Sequence, residues 1–271
     1  MVDKIELLQK AEDYSRTGKL RKAIAEYQKV NEGDPECIVA LINLGDLFYT
    51  MGDIPKSIKY YEILLEKNPH FSLAEYRLGI SYYRATKFLK AIELFDKITK
   101  EEPDLFMAHY WKGLAYYHTG KLRKSLKSFE ALQKANPDST LGYYQMSITY
   151  KALGKYEEAI KNLEMILKED PNVVSANYHL GLSYLGVSKI LKALKCFEKV
   201  IELDPEHKGA KEKLSSLLND QELMYSFGIS SPKEKQSKEE LISNYYIGET
   251  YKAFSVIDKA FKHFKDQKKD S

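Results

Sequence analysis

The sequence predicts an all-α solenoid of stacked helical hairpins, and two observations carry the prediction. The first is a proline that keeps time: Pro35, Pro69, Pro103, Pro137, Pro171 and Pro205 stand 34 residues apart without an insertion or deletion, and only Pro55 and Pro232 fall outside the series. The second is that small, aromatic and glycine residues fall into columns of the same period. A period this strict means one supersecondary unit copied along an axis, each copy burying an apolar face on its neighbour.

With the units set to begin at Lys4, Ile38, Ser72, Phe106, Thr140 and Val174, each element of the unit has its own signature. In the first helix the eighth position is small, reading Ala11, Gly45, Gly79, Gly113, Ser147 and Gly181, and the eleventh is aromatic: Tyr14, Phe48, Tyr82, Tyr116, Tyr150 and Tyr184. A turn follows at the fifteenth position, where Gly18, Gly52, Gly120 and Gly154 can take the left-handed backbone that ends a helix. Thr86 and Ser188 replace glycine there, so those two turns are expected to be less comfortable. The second helix carries a small twentieth position (Ala23, Ser57, Ala91, Ser125, Ala159, Ala193) and a large twenty-fourth (Tyr27, Tyr61, Phe95, Phe129, Leu163, Phe197). The twenty-seventh is aliphatic: Val30, Leu64, Ile98, Leu132, Ile166 and Val200. Short side chains let two helices approach closely, and the large groups sit a helical face away, so knobs meet gaps. The second helix stops at Asp34, Asn68, Glu102, Asn136, Asp170 or Asp204, because the residue before a proline is pushed out of the helical region. The proline and its acidic or amide neighbours are expected to start the next helix.

Small at eight, aromatic at eleven, Gly at fifteen, Ala at twenty, aromatic at twenty-four and Pro at thirty-two together resemble the tetratricopeptide repeat, over six copies spanning 4–37, 38–71, 72–105, 106–139, 140–173 and 174–207. The resemblance implies a right-handed superhelix of antiparallel helix pairs. It also implies a concave channel, lined by the first helices, that holds a peptide or helix of another protein, and use as an assembly scaffold rather than an enzyme.

Beyond the copies, residues 208–220 place Ala210, Leu214, Leu217 and Leu218 on one stripe and Lys211, Glu212, Lys213 and Asp220 off it, as expected of a capping helix over the last apolar face. Residues 221–237 hold Gly228, Ser230, Ser231, Pro232 and a run of charge, and read as a linker. In 238–268, Ile247, Tyr251, Phe254, Ile257, Phe261 and Phe264 fall at helical spacing. The preferred reading is one long amphipathic helix; the alternative is a degenerate seventh repeat, with Gly248, Tyr251, Ala260 and Phe264 in its columns.

Composition excludes several classes. The 42 basic and 39 acidic residues leave only +3, which does not suggest nucleic acid. No apolar run approaches the roughly 18 residues of a membrane span, and Asp3, Lys4 and Glu6 stand where a secretory signal would be apolar, so a cytoplasmic location is expected. Cys37 and Cys196 lie in different repeats and read as reduced thiols packing as small apolar groups. His70, His109, His118, His179, His207 and His263 include no pair at a spacing of three or four, and no GxxxxGK, GxSxG or CxxC motif occurs. Glu101-Glu102 and Glu157-Glu158 read as solvated surface, and Trp111, directly after His109 and Tyr110, as packing. No catalytic residue, metal or cofactor is therefore expected.

The resemblance turns positions two, five, nine, twelve and thirteen of each unit toward the channel. The fifth reads Leu8, Ile42, Tyr76, Tyr110, Tyr144 and Tyr178, and the twelfth Ser15, Tyr49, Tyr83, Tyr117, Lys151 and Leu185: two tyrosine ladders seven residues apart. The ninth adds Ile80, Leu114, Ile148 and Leu182, and Glu12, Asp46, Arg84 and Lys151 are the exceptional charges. An apolar floor set with phenols suits an amphipathic helix or extended apolar peptide, since tyrosine offers large area and one polar handle. Tyrosines can also be core between units, but the eleventh position already fills that role on another face. The resemblance does not extend to the clamp that family members use on chaperone tails: Asn43 and Arg77 match, whereas Leu8, Glu12 and Leu73 do not. A basic RNA-reading face is absent too. The alternative to an outside partner is self-occlusion, the C-terminal helix lying in its own groove or swapped into a second chain's, since the 17-residue linker reaches about 50 Å when extended.

Overall fold

The computed structural model describes residues 4–30 and 37–220, so Pro35, the linker and the C-terminal helix expected over 238–268 lie outside the described residues. Among the described residues the regular structure is thirteen α-helices, in two compact units, Met1–Ser139 and Thr140–Ser271.

The first unit holds α1 (Lys4–Arg16), α2 (Leu20–Tyr27), α3 (Cys37–Thr50), α4 (Ile54–Lys67), α5 (Ser72–Arg84), α6 (Phe88–Glu101), α7 (Phe106–His118) and α8 (Leu122–Ala135). The second holds α9 (Leu141–Ala152), α10 (Tyr156–Glu169), α11 (Val174–Gly186), α12 (Ile190–Leu203) and α13 (Lys208–Asn219). Odd-numbered helices α1 to α11 each fold back on the even-numbered one that follows, as antiparallel pairs. The turn is made at the expected position: Gly18, Gly52, Gly120 and Gly154 have φ of 73°, 81°, 71° and 71°. Thr86 and Ser188 are forced to the same left-handed region, both at φ 57°, a conformation that costs a residue with a Cβ about 1–2 kcal/mol. One residue on, a backbone N–H returns to the carbonyl of the eleventh-position aromatic, as in Lys121 N to Tyr116 O at 2.9 Å and Lys189 N to Tyr184 O at 2.8 Å, which satisfies an otherwise orphaned helix-end carbonyl.

Within each hairpin the packing columns meet directly. A Cβ on Gly45 would stand 2.6 Å from the Tyr61 ring, one on Gly79 2.8 Å from Phe95, and one on Gly181 2.7 Å from Phe197; on Gly113 it would strike Phe129 closer still. The α9–α10 hairpin has Ser147 in place of glycine and the smaller Leu163 in place of the ring. The twentieth-position residues, Ala23, Ser57, Ala91, Ser125, Ala159 and Ala193, are all fully buried. The second unit ends with Ala210, Leu214 and Leu218 of α13 in the same apolar cluster as Phe197, Val200 and Ile201 of α12.

Neighbouring hairpins are latched by three of the eleventh-position tyrosines, whose rings are buried and whose hydroxyls donate to a carboxylate twenty residues earlier: Tyr82 to Glu62 at 2.5 Å, Tyr116 to Asp96 at 3.3 Å, Tyr184 to Glu164 at 3.0 Å. Burial, with the carboxylate beside it, holds all three phenols above their ordinary pKa.

The second helices leave helical geometry at Asn68, Glu102, Asn136, Asp170 and Asp204, each with φ between −139° and −128°, one residue before the proline. The expectation that the acids around the proline start the next helix is corrected. The next helix begins three residues after the proline, or four in the case of Leu141, and Phe71, Leu105, Thr140 and Val173 at its cap make no side-chain cap. Asp170 and Asp204 instead accept from the backbone of Asn172 at 2.8 Å and Glu206 at 3.2 Å, so they tie the proline turn itself. Side-chain caps occur at Asp53, which accepts from Lys56 N ahead of a first helical turn containing Pro55, and at His207, whose Nδ1 accepts from Ala210 N at 3.1 Å. Cys37 and Cys196 are both buried thiols, and burial pushes the Cys196 thiol up to about 12. No helix among the described residues is long and apolar enough to cross a membrane.

Candidate functional site

The expected groove residues share one state. Tyr49, Tyr76, Ile80, Tyr83, Tyr110, Leu114 and Tyr117 in the first unit, and Tyr144, Ile148, Tyr178, Leu182 and Leu185 in the second, are all half-buried. They differ in this from the eleventh-position rings of the latches, which are sealed. The half-burial arises because first-helix positions five, nine and twelve lie beside, rather than on, the stripe that meets the second helix.

In the first unit α5, α6 and α7 bring seven rings together. Trp111 Nε1 donates to the Tyr76 hydroxyl at 3.2 Å, while its ring lies 5.3 Å from Tyr83 and 5.3 Å from Tyr110, both edge-on. Tyr83 also meets Phe88 at 5.4 Å and His118 at 5.7 Å, and His118 stacks on Phe88 and touches Tyr117. Burial raises the pKa of Tyr76, Tyr83 and Tyr110, so these rings remain neutral phenols that can donate or accept. Trp111 therefore packs, as expected, but it packs among the ladder tyrosines and orients one of them. Two of the exceptional charges are held locally. Asp46 accepts from Tyr61 at 2.5 Å and pairs with Arg77 at 3.2 Å, and the Arg84 guanidinium lies 4.8 Å over the Tyr49 ring.

In the second unit Tyr144 and Tyr178 flank His179 at 5.7 and 5.6 Å. Tyr178 also leans on Phe197 and, at 4.7 Å, on His207. A Cβ on Gly209 would stand 2.7 Å from the Tyr178 hydroxyl, so that tyrosine is pressed against α13 and is partly structural. Lys151 Nζ lies 2.9 Å from His179 Nδ1. Burial lowers the pKa of both, and with Lys151 and His207 adding like charge, His179 falls to about 4.

Three features escaped the sequence reading. Trp111 shares its column with Asn43, Arg77 and His179, and His118 shares its column with Arg84, so neither column marks a position of packed aromatic rings. The second-position column, Ile5, Val39, Leu73, Met107 and Leu141 before Ser175, is visibly apolar, and its first three members are the most exposed part of it at 54%, 46% and 45%. The Lys151–His179 contact joins residues from two columns that otherwise carry other chemistry. Among the described residues no group of three or more His, Cys, Asp or Glu gathers to hold a metal.

Comparison with known proteins agrees with this architecture. The chain resembles the crystal structure of MamA protein, with 23% identity and a TM-score of 0.58 over 68% of this chain and 96% of that one. It also resembles the MamA segment from residue 41 to the end from Desulfovibrio magneticus RS-1, at 23% identity and a TM-score of 0.59, over 63% and 97% of the two chains. A third likeness is to YrrB, described as a TPR protein with an unusual peptide-binding site, at 21% identity and a TM-score of 0.59, over 70% and 97%. No curated protein matches the sequence. Profiles of the tetratricopeptide repeat match residues 8–70, 42–84, 76–140, 142–172 and 174–207, and with the glycine-on-ring hairpins they show that the chain belongs to the tetratricopeptide repeat family.

Proposed function

We propose that this protein is a non-enzymatic adaptor whose half-buried tyrosines and aliphatic residues grip an apolar helix or peptide of a partner protein in the cytoplasm. Membership of the repeat family makes it a protein-interaction scaffold; the observation that supports the finer reading is the contrast between the sealed eleventh-position rings of Phe48, Tyr82, Tyr116 and Tyr184 and the half-open ladder rings. Half-open tyrosine offers contact area at low entropic cost and a hydroxyl for the partner's backbone. In the first unit, the exposed Ile5, Val39 and Leu73 extend the apolar character of the first helices.

The test takes peptides selected from a displayed random library on the full chain and measures their Kd on a Tyr110→Ala/Tyr117→Ala double variant. Loss of large rings at a binding hot spot is expected to weaken binding tenfold or more, about 1.4 kcal/mol at the least, with the helical circular dichroism and melting unchanged. Unaltered affinity, or a variant that no longer folds, overturns the reading. A second reading is favoured by the aromatic spacing of Tyr251, Phe254, Phe261 and Phe264: the C-terminal segment competes for the same face. Truncation after Asp220 then raises the affinity of the selected peptides, and an unchanged Kd removes this second reading alone.

A further inference from the structure

The two ladder helices of the second unit are nearly devoid of charge. Helix α9 carries Lys151 and α11 carries His179, and neither helix contains an aspartate or glutamate. The two side chains meet at 2.9 Å, and among the described residues Lys151 has no carboxylate partner. A lysine cation that is half-buried without a counter-ion has given up solvation and gained only a neutral acceptor in return, which is a costly arrangement for a surface that could have exposed it fully. The histidine is fixed in the complementary form. Its Nδ1 accepts a hydrogen bond from the lysine ammonium, which leaves the neutral tautomer with its hydrogen on Nε2 as a donor. Burial together with the charges of Lys151 and His207 disfavours the imidazolium, so the pair carries one positive charge and not two.

The surroundings say where a compensating anion would sit. On α9, Ile148 lies one turn before Lys151 and Tyr144 two turns before; on α11, Leu182 and Leu185 follow His179 and Tyr178 precedes it. All five are half-buried. The cation thus lies within an apolar run, with greasy contacts on either side along the helices. A chain terminus would leave one of those sides uncovered, whereas an acidic side chain inside a peptide would cover both.

We propose that Lys151 and His179 form a receptor for one internal carboxylate, an aspartate or glutamate flanked by apolar residues, in the peptide bound by the second unit. Lys151 supplies the charge, and Tyr144 and Tyr178 hold the imidazole between them, edge-on and tilted, at 5.7 and 5.6 Å. The arriving carboxylate restores the compensation that burial removed, so the contact strengthens both partners at once.

This inference rests on the peptide-binding reading above, and the experiment separates the two. A random library of peptides about 16 residues long, long enough to lay a few helical turns across the face, is selected in parallel on the full wild-type chain and on full-length Lys151→Met. The expected result is a shared apolar pattern in both pools, with an internal Asp or Glu enriched only in the wild-type pool. For an enriched peptide, replacing that acid by Gln should weaken binding to wild type about tenfold and leave binding to Lys151→Met unchanged, the signature of a pairwise coupling. Circular dichroism and melting of Lys151→Met should equal or exceed those of wild type, since a partly desolvated charge is removed. Apolar peptides without acid enrichment, enrichment of a C-terminal carboxylate in place of an internal acid, or an equal Gln effect on both proteins overturns the carboxylate receptor and leaves the apolar face standing. Failure to select any peptide on either protein overturns both.

Discussion

On the ladder helices α3, α5 and α7 of the first unit every charge meets an opposite charge or an aromatic face, whereas the one cation of the second unit's ladder helices meets neither. Every Asp, Glu, Lys and Arg on α3, α5 and α7 has a partner: Asp46 pairs with Arg77, Glu75 with Lys97, Lys112 with Asp96, and Arg84 lies over Tyr49. On α9 and α11 the one cation, Lys151, meets only a neutral imidazole. The hairpins themselves do not differ in kind, since Gly113 sits under Phe129 in one unit as Gly181 sits under Phe197 in the other. One scaffold thus presents two surfaces, and the difference lies wholly in residues that the packing columns leave free.

The largest expected effect tests the shared part. Gly113→Leu and Gly181→Leu should each cost about 1–3 kcal/mol through overpacking against the ring, read as a fall in urea midpoint. A loss in one unit and not the other would break the equivalence. The second effect sharpens the difference. His179 is neutral in the fold with a pKa of about 4, against an ordinary 6.5, so the unfolded chain binds the extra proton between these values. Stability is therefore full above pH 6.5 and falls as pH drops toward 4, by on the order of 1–2 kcal/mol once solvent screening of a half-buried group is allowed for. His179→Gln, measured by thermal melts across that window, should remove this slope; a slope that persists unchanged assigns it to other groups. The smallest effect is again common to both units. Thr86→Gly and Ser188→Gly should each raise stability by about 0.5–1 kcal/mol by relieving the left-handed turn, the gain in strain exceeding the entropy that glycine adds to the unfolded chain. A loss on either would mean that the side chain contributes more than the strain it causes.

The helices and their pairing were legible because a small residue at eight and a large one at twenty-four are complementary, and complementarity repeated along the chain leaves one solution. The strained turns were legible for the same reason, as two exceptions in a glycine column. What the columns could not reveal is any contact that borrows from two of them once. Lys151 stands where the first unit has Tyr49, Tyr83 and Tyr117, and His179 where it has Asn43, Arg77 and Trp111; nothing in either column announces that these two meet. The Trp111 hydrogen bond to Tyr76 is of the same sort. The misjudged role of the acids beside the prolines has a simpler origin: Asp170 and Asp204 are good capping residues placed too far ahead of the next helix to cap it, and the turn uses them instead.

The ring and the glycine beneath it are only sixteen positions apart, as Gly45 and Tyr61 or Gly79 and Phe95 show. In these hairpins the tightest joint therefore closes within a single unit of chain, and both halves are present as soon as the second helix has left the ribosome. A chain built this way has no need to wait for its far end before it begins to close, which shortens the time that apolar surface stays open to aggregation during synthesis.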